Sequence, residues 1–132
     1  MLYLDANVFV YATLNQEDIG ERARLILKEV QEGKISAATS ALTFDELVWA
    51  VRKYRNLEDA VSAGQAFLNM PSLELLDVKR DVLSLALGLM TRYRLEPRDS
   101  IHLASALLEN ARVIVSTDKH FDKVKEVKRR NI

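Results

Sequence analysis

The chain of 132 residues balances 19 Lys and Arg against 19 Asp and Glu, so no overall basicity directs it to nucleic acid. It has no cysteine, which excludes disulfides, thiolate metal sites and a cysteine nucleophile. With 48% hydrophobic and 29% charged residues, the composition is globular, and one domain over residues 1–132 can bury roughly two thirds of its unfolded surface.

The first residues lack a basic region followed by a small-residue cleavage site, and no apolar run reaches the length of a membrane span. A cytoplasmic protein without membrane association is expected. In chain order, Leu2–Asp5 reads as a short buried strand that ends on a carboxylate. Glu17–Gln31 has apolar residues at helical spacing (Ile19, Ala23, Ile26, Leu27, Val30), with Gly33 placed to end the helix. Residues 34–40 form a second strand, followed by a helix over 41–55. Asn56 breaks that helix, and another runs over 57–70 to Pro71. A third strand covers 73–78 and a helix 80–94. Pro97 marks a boundary before a further helix over 99–110. "RVIVSTD" (112–118) is a fourth strand, and a fifth is expected around Val124–Lys128. Short apolar strands alternating with helices predict a three-layer α/β fold: a mostly parallel sheet of four to five strands flanked by helices.

Sites in such sheets form at the carboxyl ends of strands, near the point where strand order reverses. Asp5 and Asp118 both close strands, Asp99 sits at a helix start, and Glu46 lies in the first turns of a helix. Each has an ordinary alternative. Asp5 and Asp99 are acceptable N-caps, Asp118 suits a turn, and Glu46 suits a solvated helix face. Brought to one edge, the four would repel one another and raise each other's pKa values, a conflict that a hard divalent cation resolves. An oxygen-rich site without cysteine suits Mg²⁺ or Mn²⁺ and phosphoryl chemistry.

Four segments carry a specific resemblance: "LDANVFVYA" around Asp5, "SALTFDEL" around Glu46, "PRDSIHLASAL" around Asp99 and "IVSTDKHFDKV" around Asp118. In this order and over nearly the whole length, the chain resembles the PIN domain family, most closely its VapC-type toxin ribonucleases. The resemblance implies a metal centre of Asp5, Glu46, Asp99 and Asp118. Asp5, Asp99 and Asp118 would be direct ligands, and Glu46 would bind through water or position the nucleophile. Asp122 corresponds to a further acid of many members. Asn7 and Ser116 fall where the family places small polar residues that orient the acids, and Thr117 is adjacent. Of the Asp45–Glu46 doublet only one side chain can aim at the centre, because neighbouring helical residues diverge by about 100°; the family spacing selects Glu46.

The implied activity is Mg²⁺- or Mn²⁺-dependent hydrolysis of RNA phosphodiesters, with a small antitoxin protein as partner and a homodimer as assembly. A housekeeping RNA-processing nuclease is the alternative within the fold. A receiver-like signalling module, with Asp77 as phosphoacceptor, is the alternative outside it. Arg52, Lys53, Arg55 and Lys119 are candidate RNA contacts, weighed against plain solvation. The basic tail from Lys119, with six Lys or Arg against two acids, reads first as a solvated terminus. His102, three positions after Asp99, reads as a satisfied buried histidine or as a support to the site. Trp49, Tyr54 and Phe67 read as core or interface residues, and His120 stays unassigned.

Overall fold

The computed structural model describes residues 1–132. Its strands are β1 (Leu2–Leu4), β2 (Ala37–Ser40), β3 (Leu73–Leu76), β4 (Val113–Val115) and β5 (Lys128–Arg130). Its helices are α1 (Ala6–Leu14), α2 (Asp18–Gln31), α3 (Leu42–Tyr54), α4 (Leu57–Leu68), α5 (Arg80–Tyr93) and α6 (Pro97–Leu108), with a 3₁₀ turn at Lys119–Lys123. The five strands form one sheet in the order β3-β2-β1-β4-β5, and every pairing is parallel. The α/β architecture expected from the alternating pattern is therefore present.

The pleat divides the core. Tyr3 and Ile114 point to the face covered by α5 and α6, where they meet Val82, Leu89 and Leu103. Leu4 and Val115, one residue on, point to the opposite face and join Phe9, Ile26, Leu47 and Phe67 from α1 to α4. Successive strand residues thus feed two cores, the reason the strands read as unbroken apolar runs.

The chain builds β1, β2 and β3 outward in one direction and then crosses to place β4 and β5 on the other side of β1. Strand order reverses at the β1–β4 seam, and their carboxyl ends deliver Asp5 and Ser116–Asp118 there.

Several boundaries differ from expectation. Helix α1 has no amphipathic stripe in the sequence because Ala6, Val8 and Phe9 are buried and most of its other residues are half-buried. A helix enclosed on most sides loses the periodic signal. Helix α6 begins at Pro97 with Glu96 as its N-cap, so Asp99 is a first-turn residue and not the cap. Strands β3 and β4 stop at Leu76 and Val115, shorter than the apolar runs they end. The fifth strand lies at Lys128–Arg130 because Val124 and Val127 are drawn into the core before pairing begins. The basic tail is thus an edge strand and not a free terminus, and its charges discourage a further strand from pairing there. Its end is anchored: Ile132 is buried, and Arg22 Nε donates to the Ile132 carbonyl at 3.1 Å. Gly33 (φ 73°) and Asn56, whose side chain accepts from Asp59 N at 2.7 Å, act as the expected breaks.

Candidate functional site

Asp5 leaves β1 almost fully buried, and the sheet itself begins its fixation: Asp5 N–H donates to the Val115 carbonyl at 3.1 Å. Its Oδ1 accepts from Ala6 N at 2.8 Å and its Oδ2 from Ser116 Oγ at 2.6 Å. Cap and site residue are therefore one and the same. Ser116 Oγ also accepts from Asp118 N at 2.9 Å and from Asn7 Nδ2 at 3.1 Å, so one hydroxyl joins both strand ends and α1. Asn7 Nδ2 reaches Thr117 Oγ1 at 3.0 Å as well, giving both neighbouring hydroxyls a place. Asn7 Oδ1 is buried and has no hydrogen-bond partner.

Asp99 comes from the first turn of α6, within reach of Asp118. His120 Nδ1 lies 2.9 Å from Asp118 Oδ1 and 3.9 Å from Asp99 Oδ2, and one ligand atom from each of the three falls within 4.8 Å of the others. Glu46, on the second turn of α3, is held by His102, whose Nε2 lies 2.7 Å from Glu46 Oε1 and 3.6 Å from Asp5 Oδ1. His102 is itself buried, with Nδ1 2.6 Å from the Tyr3 hydroxyl.

The electrostatics follow from this crowding. Burial pushes the Asp5 carboxyl up, partly offset by His102, by Ser116 and by the Ala6 amide, while Glu46 adds to the rise. Asp99 is pushed up to about 7 by burial, by Asp118 beside it and by Asp5. Burial works against a charged His102, yet its hydrogen bond to Glu46 and the charges of Asp5, Glu46 and Asp99 hold it above its ordinary range. No lysine or arginine forms an ion pair with any of the four acids; their ion-pair partners are His102 and His120.

Other residues singled out in the sequence sit differently. Asp122 is forked by Arg129 (Nε–Oδ1 2.7 Å, Nη2–Oδ2 3.2 Å), whose Nη1 donates to the Ser116 carbonyl at 3.0 Å. Its carboxylate braces the β4 end from behind. Arg52, Lys53 and Arg55 are exposed at the far end of α3, roughly 9–14 Å along the axis from Glu46. Lys53 lies over the rings of Trp49 (4.9 Å) and Tyr54 (5.2 Å), and Arg55 faces Asp59 at 4.0 Å. Lys119 follows Asp118 directly and is exposed. Phe67 is core, whereas Trp49 and Tyr54 are largely exposed, which leaves them the interface half of that reading. Asp77 ends the edge strand β3, exposed beside Lys79 and separated from β1 by β2, outside this constellation.

A groove of about 460 Å³ opens between α1 and α3, lined by Asn7, Val10, Tyr11, Glu46, Trp49 and Arg98. Arg98 was not singled out from the sequence. It precedes Asp99, and only the fold brings it to the same groove as Glu46.

The model of the PIN domain family matches residues 2–127. The chain belongs to the PIN domain family. Comparison with curated protein sequences finds no significant match. Among solved structures, VapC20 of Mycobacterium tuberculosis, a sarcin–ricin loop cleaving toxin, superposes with a TM-score of 0.77 at 14% identity, over 95% of each chain. FitAcB from Neisseria gonorrhoeae gives 0.74 at 18% identity, over 98% of this chain and 96% of the other. VapBC2 from Rickettsia felis, bound to a DNA fragment from its promoter, gives 0.73 at 24% identity, over 99% and 98%. At these identities the likeness is one of fold.

The PIN fold implies a divalent cation, and the donor set of this chain fits one. Asp5, Asp99 and Asp118 offer hard carboxylate oxygens with no lysine or arginine paired to them, as Mg²⁺ and Mn²⁺ prefer. Asn7, tied through Nδ2 to the Ser116 hydroxyl that also binds Asp5, keeps a buried Oδ1 without a hydrogen-bond donor.

Proposed function

We propose that this PIN domain is a Mg²⁺- or Mn²⁺-dependent endoribonuclease and the toxin of a toxin–antitoxin pair. The carrying observation is the convergence of Asp5, Asp99, Asp118 and Glu46 at one sheet edge with no lysine or arginine paired to them, Asp99 being pushed up to about 7. Asp5, Asp99 and Asp118 would hold the cation, and Glu46 would stand across from them. When bound, such a cation lowers the pKa of a water and neutralises charge on phosphate oxygens. The chain itself does the positioning. Ser116 and Ala6 N fix both Asp5 oxygens, Asn7 ties α1 to Ser116 and Thr117, and His102 holds Glu46. Arg98, lining the groove beside Glu46, is suited to a phosphate flanking the scissile bond.

The toxin assignment is supported by the fold shared with VapC20 and by the occurrence of that fold in the VapBC2 and FitAcB assemblies. A small antitoxin would then occupy the α1–α3 groove, where exposed Trp49 offers an apolar anchor beside the acids. The edge position of β3 gives the receiver-like alternative no support.

The test is cleavage of a mixed pool of structured RNA by the purified chain with Mg²⁺, Mn²⁺ or EDTA. Cutting is expected with either metal, none in EDTA, and none in Asp5→Asn or Asp99→Asn variants that remain folded. Activity that survives EDTA or both substitutions would sink the metal-nuclease reading.

A further inference from the structure

His102 is a buried side chain in contact with two acids of the site, and it is not among the groups that would hold the cation. Its surroundings are fully specified. The Ser40 backbone N–H, at the carboxyl end of β2, donates to the Tyr3 hydroxyl at 3.1 Å. The Tyr3 hydroxyl lies 2.6 Å from His102 Nδ1, and His102 Nε2 lies 2.7 Å from Glu46 Oε1. Tyr3 and His102 are both fully buried, so neither can exchange its partner for water. A carboxylate only accepts, so the ring proton must sit on Nε2. In the neutral ring Nδ1 is then an acceptor, and the Tyr3 O–H, already accepting from Ser40, has its one proton to give it. For that ring the donors run from Ser40 N–H to Tyr3, from Tyr3 O–H to His102 and from His102 Nε2–H to Glu46.

The consequence is mechanical. Glu46 comes from α3 on one face of the sheet, whereas Asp99 and His102 come from α6 on the other. Nothing else in the structure hydrogen-bonds the Glu46 carboxylate. Without His102, Glu46 would be a half-buried, freely rotating helix side chain facing Asp5, which repels it. Nε2, within 3.6 Å of Asp5 Oδ1, stands between the two acids.

We infer that His102, with its tautomer set by the Tyr3 hydroxyl, is a positioning residue that fixes Glu46 as an oxygen donor at the cation centre. The inference rests on the metal-centre reading of the four acids. Groups that orient metal-binding carboxylates usually change metal affinity by about 10- to 100-fold when removed.

The test is Mn²⁺ binding to the RNA-free protein, followed by the electron paramagnetic resonance of free Mn²⁺. His102→Leu is expected to weaken binding by about 10-fold or more, and His102→Gln, which keeps an amide donor near the Nε2 position, to restore most of it. In a Glu46→Gln background His102→Leu should change nothing further, since the two act through one contact. Long-range ¹H–¹⁵N correlation of the wild-type ring should show an unprotonated Nδ1, and Tyr3→Phe should change that signal and weaken Mn²⁺ binding by about 5-fold. Should His102→Leu not fold, Tyr3→Phe and His102→Gln decide the matter. A neutral ring with its proton on Nδ1, or Mn²⁺ affinity unchanged in Tyr3→Phe and in a folded His102→Leu, overturns the inference alone. A wild-type protein that binds no Mn²⁺ overturns the metal centre and this inference with it.

Discussion

Ser116 Oγ donates to Asp5 Oδ2 at 2.6 Å, joining the ends of two adjacent strands whose residues are 111 positions apart in the chain. The same oxygen accepts from Asn7 Nδ2 and from Asp118 N, so removing it strands three buried or half-buried groups at once. Ser116→Ala is expected to destabilise the protein by about 1–3 kcal/mol, the cost of leaving buried polar groups unpaired. The loss should shrink in an Asp5→Asn background, because Asp5 and Ser116 share the interaction. Urea denaturation of the four proteins in EDTA measures both quantities. Equal losses in the two backgrounds would show that Ser116 acts on something other than Asp5.

Asp99 makes the stability of the metal-free protein depend on pH. Its carboxyl lies at about 7 in the folded state against 3.8 for the free group. Between those values the folded chain holds a proton that the unfolded chain has lost, so unfolding becomes easier as pH rises through this window. Denaturation midpoints in EDTA should therefore fall from pH 5 to pH 8, and Asp99→Asn should flatten that fall and exceed wild type at pH 8. Adding Mn²⁺ at pH 8 should reverse the order, because the cation binds the ionised carboxylate and stabilises only the chain that offers it. A wild-type midpoint that rises over this range contradicts the assignment.

Much of this arrangement is written in the sequence, and its gaps have physical causes. Asp5 and Asp118 were legible because an acid that closes an apolar strand needs a reason to be there. Asp99 and Glu46, each alone suited to a cap or a solvated helix, acquire meaning only as members of the set of four acids and through the resemblance. Helix α1 was illegible because its enclosure removes the apolar periodicity, and so the capping role of Asp5 stayed an alternative to its site role when the structure combines them. His102 was left between two readings because nothing local reveals Tyr3, 99 positions away, as its partner. The sequence leaves Trp49 between core and interface, and α3 turns that face toward the groove. The strand expected in the basic tail is displaced from Val124–Lys128 to Lys128–Arg130 because its register is set by pairing with β4.

Two glycines should respond in opposite ways to the same substitution. A Cβ on Gly20 would stand 2.1 Å from the Asn15 carbonyl oxygen, where the turn between α1 and α2 closes on the start of α2. A Cβ on Gly88, in the middle of α5, would meet nothing within 4 Å. Alanine in a helix interior gains about 1 kcal/mol over glycine. At Gly88 that gain stands alone, so Gly88→Ala should raise the melting temperature. At Gly20 the backbone must shift, and Gly20→Ala should destabilise by about 1–3 kcal/mol, as overpacking does. Thermal unfolding of both variants beside wild type is decisive, and the same sign at both sites would contradict the packing at Asn15.

Asp118 caps the 3₁₀ turn that carries Asp122 four residues on, and the structure gives the two acids different work. Asp118 faces Asp99 and His120. Asp122 is taken up by the Arg129 guanidinium, whose hydrogen bonds hold its carboxyl below the usual carboxylate range. A carboxylate so engaged is a poor ligand, because binding a cation would require breaking the fork. Asp118→Ala is therefore expected to weaken Mn²⁺ binding by about 10-fold or more, while Asp122→Ala leaves it within a few-fold of wild type. The Asp122 variant should instead show a structural defect: Arg129 also donates to the Ser116 carbonyl, so loosening it lets the β4 end move. That contribution is present at neutral pH and is lost as pH falls through the depressed Asp122 value, so wild type and Asp122→Ala should converge in stability in acid. Free-Mn²⁺ resonance and denaturation in EDTA at pH 3 and pH 7 separate the two roles. Equal loss of Mn²⁺ affinity in both variants would add Asp122 to the metal centre.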